Sequence, residues 1–256
     1  MQIFKDRIEA AKQLASRVQQ WLNNKNTELG RQKQERQQES HNDDNDVIVL
    51  AIPRGGVVIG DIISNILHAK LDIIVSRKIG APDNQELAIG AIMPDGSYFL
   101  NKDIVRMLNV SKSYIIEQAN VQKKEIERRL QSFRGQNSDY YYGYNNFQGK
   151  TVVLVDDGIA TGATMLSAAQ WLKTEQNCCK ILIVAVPVAP PPASPPSIQS
   201  SSNEDIVSKL NQITDKVIVL YRPEPFYSVG QFYEHFEQVS DTEVREIMKR
   251  YGYRPL

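Results

Sequence analysis

VVLVDDGIATGAT, residues 152–164, places two adjacent carboxylates and a small hydroxyl-bearing turn between a strand and a helix. Val152 to Val155 are four apolar residues in a row, the pattern of a strand buried on both faces. Asp156 and Asp157 end that strand. A turn containing Ala160, Thr161 and Gly162 follows, and a helix is expected to begin near Ala163 and Thr164. In open α/β sheets ligands bind beyond the carboxyl ends of the strands. A loop rich in backbone N–H groups that runs into a helix N-terminus is a preformed anion site. The segment therefore offers an acidic patch beside an anion cradle. That pairing suits a sugar phosphate, whose hydroxyls donate to the carboxylates while the loop holds phosphate. The blander alternative is a buried strand whose aspartates only cap a helix, and the ordered set of strand, acidic pair, loop and helix start weighs against it.

Working upstream, Val47 to Ile52 reads as a first central strand and Val57 to Leu67 as a helix, joined by Pro53-Arg54-Gly55-Gly56. Two glycines let the backbone approach a ligand closely, and Arg54 adds a planar fork of donors. A tight turn with a solvated arginine is the alternative. Leu71 to Ser76 reads as a second strand, with Arg77-Lys78 ending it at the same sheet edge, where two cations suit an anionic leaving group. Ile89 to Met93 and Ser97 to Leu100 flank Pro94-Asp95-Gly96 as a hairpin. Ser111 to Phe133 reads as a long helix with Ile115, Ala119, Ile126, Leu130 and Phe133 inward, and Gly135 suits its end. Downstream come strands at Ile181 to Val186 and Val217 to Tyr221, and a short helix at Asp205 to Leu210. Asp241 is the expected cap of a C-terminal helix with Val244, Ile247 and Met248 inward. Strands alternating with helices give the fold class: α/β, an open, mostly parallel sheet with helices on both faces.

At the N-terminus, Phe4, Ile8, Ala11, Ala15, Val18 and Leu22 recur at steps of four and three, marking an amphipathic helix over 1–22. Such a stripe serves core packing more commonly than a homodimer seam. Residues 23–46 are almost wholly polar and read as a disordered linker. The main domain is expected over 47–256, interrupted by a Pro/Ser-rich low-complexity insert at 189–202.

The chain has 256 residues, 41% of them hydrophobic, enough for a sizeable core. Thirty Lys plus Arg balance thirty Asp plus Glu, so no global bias toward nucleic acid exists, while a local cation cluster still serves an anionic substrate. Cys178 and Cys179 are neighbours and rarely bridge, which suggests reduced thiols. His41, His68 and His235 show no metal-ligand spacing, so no protein-held metal is expected. Neither an apolar leader after Met1 nor a run long enough to cross a bilayer is present, and a soluble, cytoplasmic protein is the expectation. A P-loop is excluded because no G-x-x-x-x-G-K-[ST] string occurs.

The 152–164 segment resembles the phosphoribosyl-diphosphate (PRPP) signature of type I phosphoribosyltransferases, with Gly158 standing where that family usually has an aliphatic residue. The wider order of AIPRGGV, RKIGAP, ELAIGA, VDDGIATGAT and EPFYSVGQFY is similar to a group of stand-alone bacterial phosphoribosyltransferases of unsettled acceptor. The resemblance implies transfer of 5-phosphoribosyl from PRPP to a nitrogen acceptor, a nucleobase above all, with release of diphosphate. It implies that Asp156 and Asp157 hold ribose hydroxyls, and that Ala160, Thr161, Gly162, Ala163 and Thr164 bind the 5′-phosphate. Arg54, Gly55, Gly56, Arg77 and Lys78 would take the diphosphate, in a turn whose peptides adopt unusual geometry. Mg2+ would be bound mainly through PRPP. Ala160 stands where the hypoxanthine and guanine enzymes carry an aspartate, and the A-T-G-A-T form is closer to the adenine and uracil enzymes. A rival from another class is a catalytically silent, PRPP-sensing regulator on the same fold.

Three features stay open at the level of sequence. Glu86 either positions Mg2+ through water, orients Lys78, or simply pairs with a cation. Lys123, Lys124, Arg128, Arg129 and Arg134 on the long helix border the site, belong to a lid or form a solvated face, while Tyr140, Tyr141, Tyr142 and Tyr144 after it stack on a base, pack on the protein's own surface or form a dimer contact. Residues 224–233 hold four aromatics and form either a C-terminal hood that walls the acceptor base or a hydrophobic clasp for the C-terminus.

Overall fold

The computed structural model describes residues 2–34, 47–135, 147–174, 179–192 and 205–256. Along the chain run α1 (Arg7–Gln34), β1 (Val47–Ala51), α2 (Gly55–Leu67), β2 (Lys70–Ile73), β3 (Arg77–Ala81), β4 (Asn84–Ile92), β5 (Tyr98–Leu100), α3 (Lys102–Met107), α4 (Lys112–Arg134), β6 (Lys150–Val155), α5 (Ala163–Thr174), β7 (Cys179–Val188), α6 (Ile206–Ile213), β8 (Lys216–Tyr221) and α7 (Asp241–Arg250). Five strands form one parallel sheet in the order β2-β1-β6-β7-β8.

Side chains alternate across this sheet, and both faces are dry. Val49, Ala51, Val153, Val155, Ile183 and Ala185 point to the face covered by α1, α2, α4 and α7. Leu50, Val152, Leu154, Leu182 and Val184 point to the other, where Trp171, Leu172 and Leu210 of α5 and α6 cover them. A sheet buried on both sides needs apolar residues at consecutive positions, which is why β1, β6 and β7 read as unbroken apolar runs.

Beside the main sheet lies an antiparallel one, β3-β4-β5, with the expected Pro94-Asp95-Gly96 turn between its last two strands. This corrects one expectation. Arg77 and Lys78 do not end the second strand; β2 stops at Ile73, and the two cations open β3 of the second sheet. Helix α4 buries the expected stripe of Ile115, Ala119, Ile126, Leu130 and Phe133 and is capped by Ser111. It ends on Arg134, whose guanidinium is buried against Asp72 (Nη2–Oδ1 2.6 Å) and donates to the Ile73 carbonyl.

The N-terminal helix starts at Arg7 and continues to Gln34, through residues expected to be linker. Gln, Lys, Glu and Arg are strong helix formers, so a polar run can extend a helix without adding an apolar face. The rest of the expected linker, residues 35–46, lies outside the described residues, as do Cys178, Tyr140 to Tyr144 and residues 193–202 of the insert. The helix packs as core: Ala10, Ala11, Leu14, Ala15 and Val18 are buried, whereas Ile8 is exposed. Ser240, not Asp241, caps α7, in a reciprocal box with Glu243. Among the described residues no helix is long and apolar enough to cross a membrane.

Asp72→Ala should leave the buried Arg134 charge without its carboxylate. Urea unfolding is expected to show a loss of about 3 kcal/mol.

Candidate active site

β1 and β6 are neighbours in register, with Ala51 opposite Val155, so the chain leaves both strands side by side. Ile52 N donates to Val155 O (3.0 Å), which ties the two exits together. The turn after β1 then presses onto the acidic pair. A Cβ on Gly55 would collide with Asp157 Oδ2, and one on Gly56 would lie 3.0 Å from Val155 O and Asp156 Cα. A side chain at Gly55 would have to push the Asp157 carboxylate from its place beside Arg7. The structure thus brings Gly55 and Gly56 together with Asp156 and Asp157 at one rim. The Pro53–Arg54 peptide is cis. The Arg54 guanidinium lies 3.5 Å from Asp241, the first residue of α7.

Asp157 is held from several sides. Its Oδ2 accepts from Arg7 Nε (2.9 Å), its carbonyl accepts from the Tyr233 hydroxyl (2.6 Å), and its own N–H donates to Asp156 Oδ1 (2.8 Å). Arg7 also donates through Nη1 to the Glu237 carbonyl (2.9 Å) and lies 3.8 Å from the centre of the Phe236 ring. Burial pushes the Asp156 carboxyl well above the usual carboxylate range, and the neighbouring Asp157 charge pushes it further. The Tyr233 phenol is pushed up by burial first and by Asp157 second, so it remains a donor.

The loop that follows is anchored at both ends. Ile159 is buried and donates to Val188 O (2.8 Å); Gly162 O accepts from Leu166 N in the first turn of α5 (2.8 Å). Between these anchors Ala160 and Thr161 are exposed, as are Ala163 and Thr164 beyond them. Gly162 has φ +77°, a left-handed conformation costly for other residues, and a Cβ there would strike Ile206. Gly158 also has a packing reason. A Cβ on it would sit 2.5 Å from Val229 Cγ1 and 2.8 Å from Val188 Cγ2, so Val229 fills the space an aliphatic side chain would take.

Arg77 and Lys78 are engaged by partners other than the acidic pair. Lys78 Nζ meets Glu86 at 2.7 Å at an exposed site, and Arg77 Nε donates to Gln122 of α4 (3.1 Å). Glu86 is therefore an ion-pair partner, its carboxyl held below the usual range by Lys78. On α4, Arg128 and Arg129 both bind Glu125, which they hold down to about 2, Arg128 contributing most. That face pairs with itself. The aromatic segment after β8 behaves as a clasp: Phe232 and Tyr233 are buried, Phe226 packs on Phe232 at 5.1 Å, and residues 3–5 pair with residues 232–235. Of its four aromatics only Tyr227 is open, at 85% exposure. A cavity of about 510 Å3 lies elsewhere, between Gln13, Arg17 and Trp21 of α1 and strand β8.

The sequence reading missed Arg7, Phe236 and Asp241. Arg7 carried one signal, since a cation in the first turn of a helix opposes the macrodipole and calls for a separate reason. Phe236 and Asp241 carried none, because each acquires its role only when the C-terminal segment folds back.

Gly158→Ala should destabilise the chain by about 1–3 kcal/mol through overpacking against a stiff β-branched neighbour. Adding Val229→Ala should recover part of that loss in a chemical-denaturation double-mutant cycle. Asp156→Asn should act oppositely on the unliganded protein. A carboxyl raised in the folded state makes that state bind more protons than the unfolded chain, so stability falls as pH rises from about 4 through the folded-state value. The amide removes that loss. Thermal melts should show the variant more stable at pH 7 and the difference closing near pH 4.

Residues 6–219 match the family model described as phosphoribosyl transferase domain. Two curated relatives from two strains of Mycobacterium tuberculosis, provisionally named phosphoribosyl transferases, are 34% identical over 250 residues, covering 98% of this chain and 47% of theirs. The chain spans about half the length of the curated relatives it matches. The crystal structure of TT1426 from Thermus thermophilus is similar with a TM-score of 0.69 and 29% identity, over 97% of this chain and 99% of that one. The parallel sheet, its rim and these likenesses agree, and the chain belongs to the phosphoribosyl transferase domain family.

Proposed function

We propose that this chain transfers 5-phosphoribosyl from PRPP to a nitrogen acceptor and releases diphosphate. The observation that carries the reading is the contact of Gly55 and Gly56 with Asp157 and Asp156, because it sets an anion-approachable turn against a hydroxyl-binding acidic pair. The phosphate loop leaves the same strand end, so one ligand with phosphates at both ends of a ribose fits the order of the parts.

In this reading the bond from ribose C1 to the diphosphate oxygen breaks with its electron pair on diphosphate. The nitrogen lone pair forms the new bond, and its proton leaves to solvent or diphosphate. Asp156 and Asp157 accept from the ribose hydroxyls and favour positive charge building on the ring. Backbone N–H groups of 160–164 and the hydroxyls of Thr161 and Thr164 hold the 5′-phosphate. Gly55 and Gly56 receive the diphosphate on their backbone, and Arg54 would exchange Asp241 for it. Lys78 would reach the diphosphate only by releasing Glu86, and Arg77 only by releasing Gln122. The oxygen-only acidic pair suits a hard cation, but Arg7 already occupies Asp157 Oδ2, which favours Mg2+ carried mainly on PRPP oxygens beside Asp156. That ion would supply charge neutralisation at the departing diphosphate.

The acceptor is a nucleobase or a related amine. Ala160 provides no carboxylate to take a proton from the acceptor, which favours a nitrogen that is nucleophilic while neutral.

Incubation with PRPP, MgCl2 and a panel of bases and amines should give acceptor-dependent diphosphate, read by mass spectrometry. PRPP binding without turnover for any acceptor would instead favour a PRPP-sensing regulator.

A further inference from the structure

We infer that Arg7, at the start of the N-terminal helix, is a positioning residue of the ribose site and sets the chain's affinity for the ribose portion of its donor. The inference rests on the PRPP reading and deepens it. Its basis is geometric. One carboxylate oxygen of Asp157 is taken by Arg7 Nε at 2.9 Å, and the same oxygen lies where a side chain on Gly55 would be. Asp157 is therefore gripped between a backbone and a guanidinium through Oδ2, which would leave Oδ1 for a ribose hydroxyl.

The grip is itself built. Arg7 has a side chain only 11% exposed, tied to the Glu237 carbonyl and laid on the Phe236 ring. Tyr233 stacks on the same ring at 4.9 Å and 28°, and its hydroxyl returns to the Asp157 carbonyl. Arg7, Phe236, Tyr233 and Asp157 thus form a closed ring of contacts drawing on both ends of the chain. A guanidinium fits this role better than an ammonium. It uses Nε and Nη1 at fixed angles on two acceptors while its flat face meets an aromatic ring.

The arrangement does a second thing. Two carboxylates side by side repel each other, and a fixed cation beside them lessens that repulsion. Ribose hydroxyls, as neutral donors, then compete well for the remaining acidic oxygens.

The test separates ribose recognition from folding by using two ligands. Calorimetry would measure PRPP and inorganic diphosphate, each with MgCl2, binding to wild type, Arg7→Gln and Arg7→Lys, with thermal melts confirming folded protein. Loss of a charge-assisted contact predicts PRPP binding weaker by about tenfold or more in Arg7→Gln. Arg7→Lys should recover part of the loss, and diphosphate, which has no ribose, should bind all three proteins alike. Equal loss for both ligands, or unchanged PRPP affinity in Arg7→Gln, would overturn the inference. Failure of wild type itself to bind PRPP would instead overturn the donor reading.

Discussion

The arrangement depends on a close approach that a side chain at Gly55 would disturb. Where β1 and β6 end side by side, the Asp157 carboxylate lies in the space of the missing Gly55 side chain. Everything that gives the rim its chemistry follows from that contact. It brings the turn's backbone amides to the acidic pair, it fixes which oxygen of Asp157 faces inward, and it leaves that oxygen for Arg7 to bind. The cost is electrostatic. Asp156 sits desolvated next to a second carboxylate and is held away from its ordinary ionisation. A carboxyl held this way costs folding stability, a cost common at functional sites.

The parallel sheet was legible because both of its faces are buried. Val47 to Ile52, Val152 to Val155 and Ile181 to Val186 could hardly be anything but central strands, and the helices that open at Gly55, Lys112, Ala163, Ile206 and Asp241 began near their expected positions. Legibility failed where structure depends on partners distant in sequence. β3 begins with Arg77-Lys78, two charged residues that carry no strand pattern and pair only because β4 lies alongside. The polar half of α1 shows no apolar period, yet its residues favour helix individually.

The site divides in the same way. Residues contiguous in sequence, Asp156 and Asp157 with the loop to Thr164, were readable because their order along one strand–loop–helix unit is the signal. The Arg54-Gly55-Gly56 turn was readable because adjacent parallel strands release their ligand loops at one edge. The aromatic segment was ambiguous on composition alone. Tyr233 turns out to meet Phe4 and Phe226 packs on Phe232, which makes the segment a fastening for the rim. Gly158 stands where the resembled family usually has an aliphatic residue, and Val229 supplies that bulk from the far end of the chain.

That fastening bears on the order in which the molecule matures. The bond between Arg7 and Asp157 spans 150 residues of chain, and the one from Arg7 to Glu237 spans 230. Closing such long loops costs entropy that only late, cooperative packing returns. During synthesis the strands of the main sheet can emerge and associate before Tyr233, Phe236 and Glu237 have left the ribosome. The rim is therefore completed last, and a nascent chain stalled near β8 would own a sheet but not yet a finished rim.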